Sequence, residues 1–189
     1  MVGLNWLLHH FSSAGPRRIG PAHAVPPVLV FSDGACEDNG TSIGAVIIVP
    51  GVGAQCFGAT ISESTLESWR TKMGQRQLIG QAELFPLLVA RLTWPDLLRS
   101  RRVLFFVDNE SARIGMIRAY SPVLPSLRIV LDCLTWDYNN ECSGWYARVP
   151  SPANPGDAPA RMAIPDFCDG VTVVPPVFPY GHVPDSVLE

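Results

Sequence analysis

The chain alternates between short continuous apolar runs and segments with helical spacing. The first run, VLVFSD (Val28–Asp33), is β-branched and aromatic throughout and predicts a strand buried on both faces. After the turn GACEDNGTS comes IGAVIIVPG, a second strand ended by Pro50 and Gly51, and then AQCFGATIS, a third. Their spacing is that of an antiparallel meander. A polar stretch, ESTLESWRTKMGQRQLIG, leads into QAELFPLLVARLTW, where Leu84, Leu87, Leu88 and Leu92 follow helical spacing. Pro86 is tolerated in a first turn, so this helix is expected to begin near Gln81 or Ala82, with Glu83 at its N-terminus. RRVLFFVDN is a fourth strand of the buried type, ending at Asp108. ESARIGMIRAY predicts a short helix. SPVLPSLRIVLDCLTWDY predicts a longer one, with Leu124, Leu127, Leu131, Leu134 and Tyr138 on one stripe. SGWYARVPS is a fifth strand, and a short helix is expected near Pro155.

The order β-β-β-α-β-α-α-β-α predicts one α/β domain, residues 28–161, with a five-stranded mixed sheet flanked by helices on both faces. Strand 1 is expected between strands 2 and 4. Residues 1–27, rich in Gly, Pro, Ser and Ala, read as a flexible leader, and 162–189 as a Pro-rich C-terminal tail.

Composition narrows the chemistry. The net charge of -3 argues against nucleic-acid binding by bulk electrostatics but leaves room for a local basic face. Thirteen of the 14 basic residues are arginine, and Lys72 is the sole lysine. The five cysteines are odd in number and form no CxxC, which points to a reducing intracellular compartment, cytoplasm or nucleus, rather than secretion. The four histidines lie near the termini, which removes Ser-His-Asp, Cys-His and His-rich zinc chemistry from the core. No apolar run is long enough to span a bilayer. The opening MVGLNWLLHHFSSAGPRRIG, with no basic residue ahead of its apolar patch, is a poor signal peptide.

Four acids then stand out by position. Asp33 ends strand 1, Glu83 opens the first helix, and Asp108 ends strand 4. Asp157 lies in RVPSPANPGDAP (Arg148–Pro159), whose four prolines stiffen the backbone around it. Taken singly, each has a plain alternative: a turn or cap for Asp33 and Asp108, a dipole-favoured first-turn acid for Glu83, an N-cap for Asp157. Together, at the carboxyl edge of parallel strands, four acids repel unless a cation joins them. Divalent magnesium or manganese suits such hard oxygen ligands.

These segments resemble the ribonuclease H family. FSDGACEDNGTSIGAVI resembles its first hairpin, QAELFPLL its AEL helix start and FFVDNESA its strand 4 aspartate. RVPSPANPGDAPAR resembles the segment of RNase H domains associated with reverse transcriptases of hepadnaviruses and some retrotransposons. The resemblance covers about residues 28–161. It implies a metal-dependent endonuclease that cleaves the RNA strand of RNA–DNA hybrids with two Mg2+ (or Mn2+) ions held by Asp33, Glu83, Asp108 and Asp157. It further implies substrate contacts at Gly34, Cys36, Asn39 and Asn109, the backbones at Cys36 and Asn39 matching positions that meet ribose 2'-OH groups. An associated reverse transcriptase domain or larger assembly is the implied partner, with no membrane involved. The chain departs from cellular members in having no histidine between His23 and His182 and no basic protrusion. Two rivals remain. An exonuclease of this fold carries Asp-x-Glu on strand 1, where this chain has Ala35. A domesticated, catalytically weak or inactive module would use the same fold for binding within an assembly.

Overall fold

Strand β1 (Val28–Glu37) alternates in burial over its first four residues, after which Ser32 to Ala35 are all buried. Val28 and Val30 are fully buried, whereas Leu29 and Phe31 are half-buried. The computed structural model describes residues 2–13, 25–37, 40–71, 78–166 and 170–189. β1 pairs antiparallel with β2 (Gly40–Val49), which pairs antiparallel with β3 (Gly53–Thr60). On its other side β1 runs parallel to β4 (Arg102–Val107), and β4 parallel to β5 (Ser143–Arg148). Strand 1 thus lies between strands 2 and 4, as expected.

Among the described residues the sheet has seven strands rather than five. The segment read as a tail supplies β6 (Thr172–Val173) and β7 (Ser186–Val187), both paired with β3. Between them, Phe178 packs edge-on against Phe85 and the Tyr180 hydroxyl donates to Asp132. The prolines suit this role: short proline-broken segments can cover an edge strand without offering a new edge. The leader is also not wholly irregular. Val2–Ser13 form helix α1, and Trp6 Nε1 donates to Thr135 Oγ1 at 2.8 Å.

The main core lies on one face of the sheet. Val28, Val30, Ile43, Ala45, Ile47, Phe57, Val103, Phe105 and Val107 face α2 (Glu63–Trp69), α3 (Ile79–Thr93), α5 (Glu110–Arg118) and α6 (Leu124–Asn139); α4 (Pro95–Leu98) follows α3 directly. Short α7 (Asp157–Ala160) seats on the opposite face, over β1, β2 and β3. The expectation of strands buried on both faces therefore fails for β1 and β4. Leu29, Phe31, Leu104 and Phe106 are half-buried, and Trp145 on β5 is 70% exposed, because α7 is too short to reach across.

Two helix expectations need correction. α3 begins at Ile79, so Glu83 is its fifth residue and Pro86 lies two turns inside. The carbonyl that Pro86 cannot serve is that of Ala82, and this carbonyl faces Gly34 of β1. On α6 the middle of the predicted stripe holds, with Leu131 buried and Leu134 packed on the core, but Leu124 and Tyr138 at its ends are 44% and 40% exposed, while Ser126, Ile129, Val130, Cys133 and Asp137 are also buried. The helix is rotated toward a polar anchor. Fully buried Arg91 of α3 donates to Asp137 Oδ1 and Oδ2 at 2.9 and 2.8 Å, to Leu87 O at 2.7 Å and to the Tyr146 hydroxyl at 2.8 Å. Its guanidinium also stacks 4.2 Å from the Phe105 ring centroid.

Candidate metal centre

The parallel β1–β4 pairing ends at Ser32–Val107. Asp33, which does not end its strand but still pairs with Gly44 as β1 runs on to Glu37, and Asp108, the first residue past β4, come next, so they stand side by side where the parallel pairing stops. Glu83 arrives from α3. It reaches the same place because β1 and α3 touch backbone to backbone: a Cβ at Gly34 would collide with the Ala82 carbonyl and the Glu83 nitrogen. Gly34 therefore serves close approach, a use of glycine that needs no unusual φ. Carboxylate oxygens of Asp33, Glu83 and Asp108 all lie within 4.8 Å of one another. Asp33 and Glu83 are each 6% exposed.

The cluster is electrostatically costly. Burial pushes the Asp33 carboxyl up to about 7, helped by the charges of Asp108 and Asp157 and by a hydrogen bond with Asp157. Burial likewise pushes Glu83 up to about 8, helped by Asp33 and Asp108. The Gly34 amide and, for Glu83, the Asn109 side chain oppose these rises only in part. Asn109 caps α5 by accepting from the Ala112 N–H at 3.0 Å, and its Nδ2 faces Glu83 Oε1 at 3.5 Å. Glu83 Oε2 and Asp108 Oδ1 are buried with no hydrogen-bond partner. Three converging carboxylates with two unpartnered oxygens are a hard, all-oxygen donor set, and they fit a divalent cation.

Both raised acids bind their protons more tightly in the folded protein. Their contribution to metal-free stability is full below about pH 4 and is lost as pH rises through about 7 and 8. In EDTA the melting temperature should fall from pH 5 to pH 8.5, and millimolar Mg2+ should reverse the fall. A Glu83→Gln variant should show a shallower fall across the same range. An equal slope in wild type and variant would refute the electrostatic cause.

Asp157 stands beside this cluster, near enough to raise Asp33, but faces Arg161. Arg161 Nε donates to its two oxygens at 3.0 and 3.1 Å. Asp157 is the first residue of α7, whose cap is Gly156, so it is not an N-cap. What positions it was not visible in the sequence. Asn154, 6% exposed, donates to Ser32 O at 3.1 Å and accepts from the Gly156 N–H at 3.1 Å. This pins the Pro-rich segment to β1 one residue before Asp33. Gly44 and Gly58, opposite each other on β2 and β3, then form a trough for α7, since a Cβ at either would strike the Pro159–Ala160 backbone. Asn154 is the sort of residue that a buried Asx turn would betray; the glycine pair is legible only once the strand register is known. Gly44→Ala should destabilise the fold by about 1–3 kcal/mol through overpacking. Gly80→Ala, in open space on α3, should be neutral or mildly stabilising, and urea titration of the two variants checks the contrast.

Of the remaining residues singled out earlier, Cys36 is an exposed free thiol at the end of β1, its Sγ accepting from Thr41 Oγ1 at 3.6 Å. Although the residue as a whole is exposed, partial desolvation raises this thiol against the Thr41 and Leu78 hydrogen bonds. Asn39 lies outside the described residues.

No protein-family model matches the chain, and no curated protein is significantly similar to it. Solved structures do share its architecture. RNase H1 from the halophilic archaeon Halobacterium salinarum NRC-1 matches with a TM-score of 0.56 and 21% identity, over 72% of this chain and 96% of that one. The N-terminal RNase H domain of Rv2228c from Mycobacterium tuberculosis gives 0.57 and 17%, over 72% and 92%. LC11-RNase H1, isolated from compost, gives 0.54 and 17%, over 73% and 95%. The mixed sheet and its flanking helices therefore form an RNase H-like fold.

Proposed function

We propose that the protein is a metal-dependent endonuclease that cleaves the RNA strand of RNA–DNA hybrids. The observation that carries this reading is the convergence of Asp33, Glu83 and Asp108 at the carboxyl edge of the sheet, with two buried carboxylate oxygens left unpartnered. The fold shared with structures named as ribonucleases H supports it. In this reading Asp33, Glu83 and Asp108, joined by Asp157, hold two Mg2+ or Mn2+ ions. Such ions, held by these carboxylates, would supply Lewis-acid stabilisation of the charge that develops during phosphodiester hydrolysis.

The chain's own residues supply position and charge. Asp33 and Asp108 come from adjacent strands and Glu83 from a buried helix, so none can swing far, and the donor set is preorganised. Asn109 orients Glu83 from the start of α5. Gly34, Cys36, Asn39 and Asn109 would line the approach of the RNA strand, where 2'-OH contacts distinguish RNA from DNA. The segment from Arg148 to Arg161 supports kinship with reverse-transcriptase-associated domains, hence a retroelement or viral origin and a polymerase domain or larger assembly as partner. The thiols of Cys36, Cys56, Cys133 and Cys142, not joined in disulfides, fit a reducing intracellular compartment. Among the described residues no helix is long and apolar enough to cross a membrane.

A panel of end-labelled substrates tests this. RNA–DNA hybrid should be cut in its RNA strand, while duplex DNA, duplex RNA and single-stranded RNA should not. A second reading, a catalytically silent module within an assembly, draws on the half-buried apolar face of β1 and β4 beside exposed Trp145. Divalent-ion binding without cleavage of any substrate would favour it.

A further inference from the structure

We infer that Arg161 is a positioning residue for the proposed metal centre: it occupies Asp157 in the metal-free protein and must release it before Asp157 can join the cluster. The inference rests on reading Asp33, Glu83 and Asp108 as a divalent-cation site. Those three acids converge, and Asp157 stays outside. The cause is local. Arg161 lies four residues on, its Nε facing both Asp157 oxygens at 3.0 and 3.1 Å, while its Nη1 donates to Glu37 at the end of β1. One N–H shared between both oxygens, carried by a cation, holds the carboxylate turned toward Arg161 while leaving other lone pairs free.

The backbone of Asp157 is already in place, pinned through Asn154 to Ser32 and by α7 lying in the Gly44–Gly58 trough. Joining the cluster therefore asks for a side-chain rotation, not a loop movement. Glu37 makes that rotation inexpensive, because the guanidinium keeps one carboxylate partner when it gives up the other. Exposure points the same way. Arg161 and Asp157 side chains are 54% and 44% exposed, so their pair is weak and releasable. The contrast is the buried Arg91–Asp137 pair, which has no such freedom.

A Mn2+ titration followed by the paramagnetic signal of the free ion tests this on wild type, Arg161→Gln and Arg161→Lys, with thermal melts confirming that each folds. The tighter binding step, on Asp33, Glu83 and Asp108, should change little. The weaker step, which recruits Asp157, should tighten about tenfold in Arg161→Gln, where both charge and fork are lost. It should tighten about two- to fivefold in Arg161→Lys, which keeps the charge but loses the planar fork. Tightening in Arg161→Gln with none in Arg161→Lys would mean a general charge effect and overturn the clamp. Weakening in both variants would make Arg161 a support for Asp157 and overturn it equally, as would a single Mn2+ bound by all three proteins. A wild type that binds no Mn2+ would overturn the cation-site reading, and this inference with it.

Discussion

Asp108→Asn should abolish hybrid cleavage and yet melt at a higher temperature than wild type in EDTA at pH 8. Asp108 is one of the charges that raise both Asp33 and Glu83, and one of its own oxygens is buried without a partner. Removing that charge relieves repulsion among the three carboxylates, a gain of about 1 kcal/mol or a few degrees for a chain of this size. The gain should vanish near pH 5, where Asp33 and Glu83 are protonated. Activity should move the other way. Loss of a single preorganised group in an active site costs about 10²–10³-fold, and loss of a metal ligand should cost at least that. The paired readout separates the two roles. Lower stability in EDTA would make Asp108 a structural cap, and wild-type-like cleavage would remove it from the site.

The second large effect lies away from the site. Asp137→Ala should destabilise the fold by about 3–5 kcal/mol, because it strands the fully buried guanidinium of Arg91. Arg91 sits two turns beyond Glu83 on α3 and joins that helix to α6 and to Tyr146 on β5, so the loss should also loosen the placement of Glu83. An Arg91→Met, Asp137→Leu double variant removes both charges and should recover most of the stability in urea titration. A double variant as unstable as the single one would show that packing volume, not the unpaired charge, is responsible.

The strands were legible because each is a short apolar run bounded by turn residues, and the three clustered acids because each follows a run or sits near the start of one. Asp33, Glu83 and Asp108 come together as their order along the chain suggested. The errors have physical sources. The stripe read on α6 assumed an apolar seam, but Asp137 turns inward to meet Arg91, and nothing local in the sequence pairs residues 46 positions apart. α3 starts earlier than expected because Pro86 is not a first-turn proline: the carbonyl it leaves unserved faces Gly34. The C-terminal prolines read as a tail because edge-strand cover and disorder share a composition. Asp157 lies beside the three-acid cluster rather than in it, and the Asn154 bond to Ser32 and the Gly44–Gly58 trough that place it depend on register and packing that a linear pattern does not carry.

The central claim is that Asp33, Glu83 and Asp108 form a divalent-cation site that drives hydrolysis of RNA paired with DNA. The most direct test is a time course on a hybrid labelled at the RNA 5' end, run with wild-type protein in Mg2+, in Mn2+ and in EDTA. The account predicts shortened RNA products with either ion, none in EDTA, and full recovery when Mg2+ is added back in excess. Cleavage that persists in EDTA, or intact RNA under every condition with a folded protein, would contradict it.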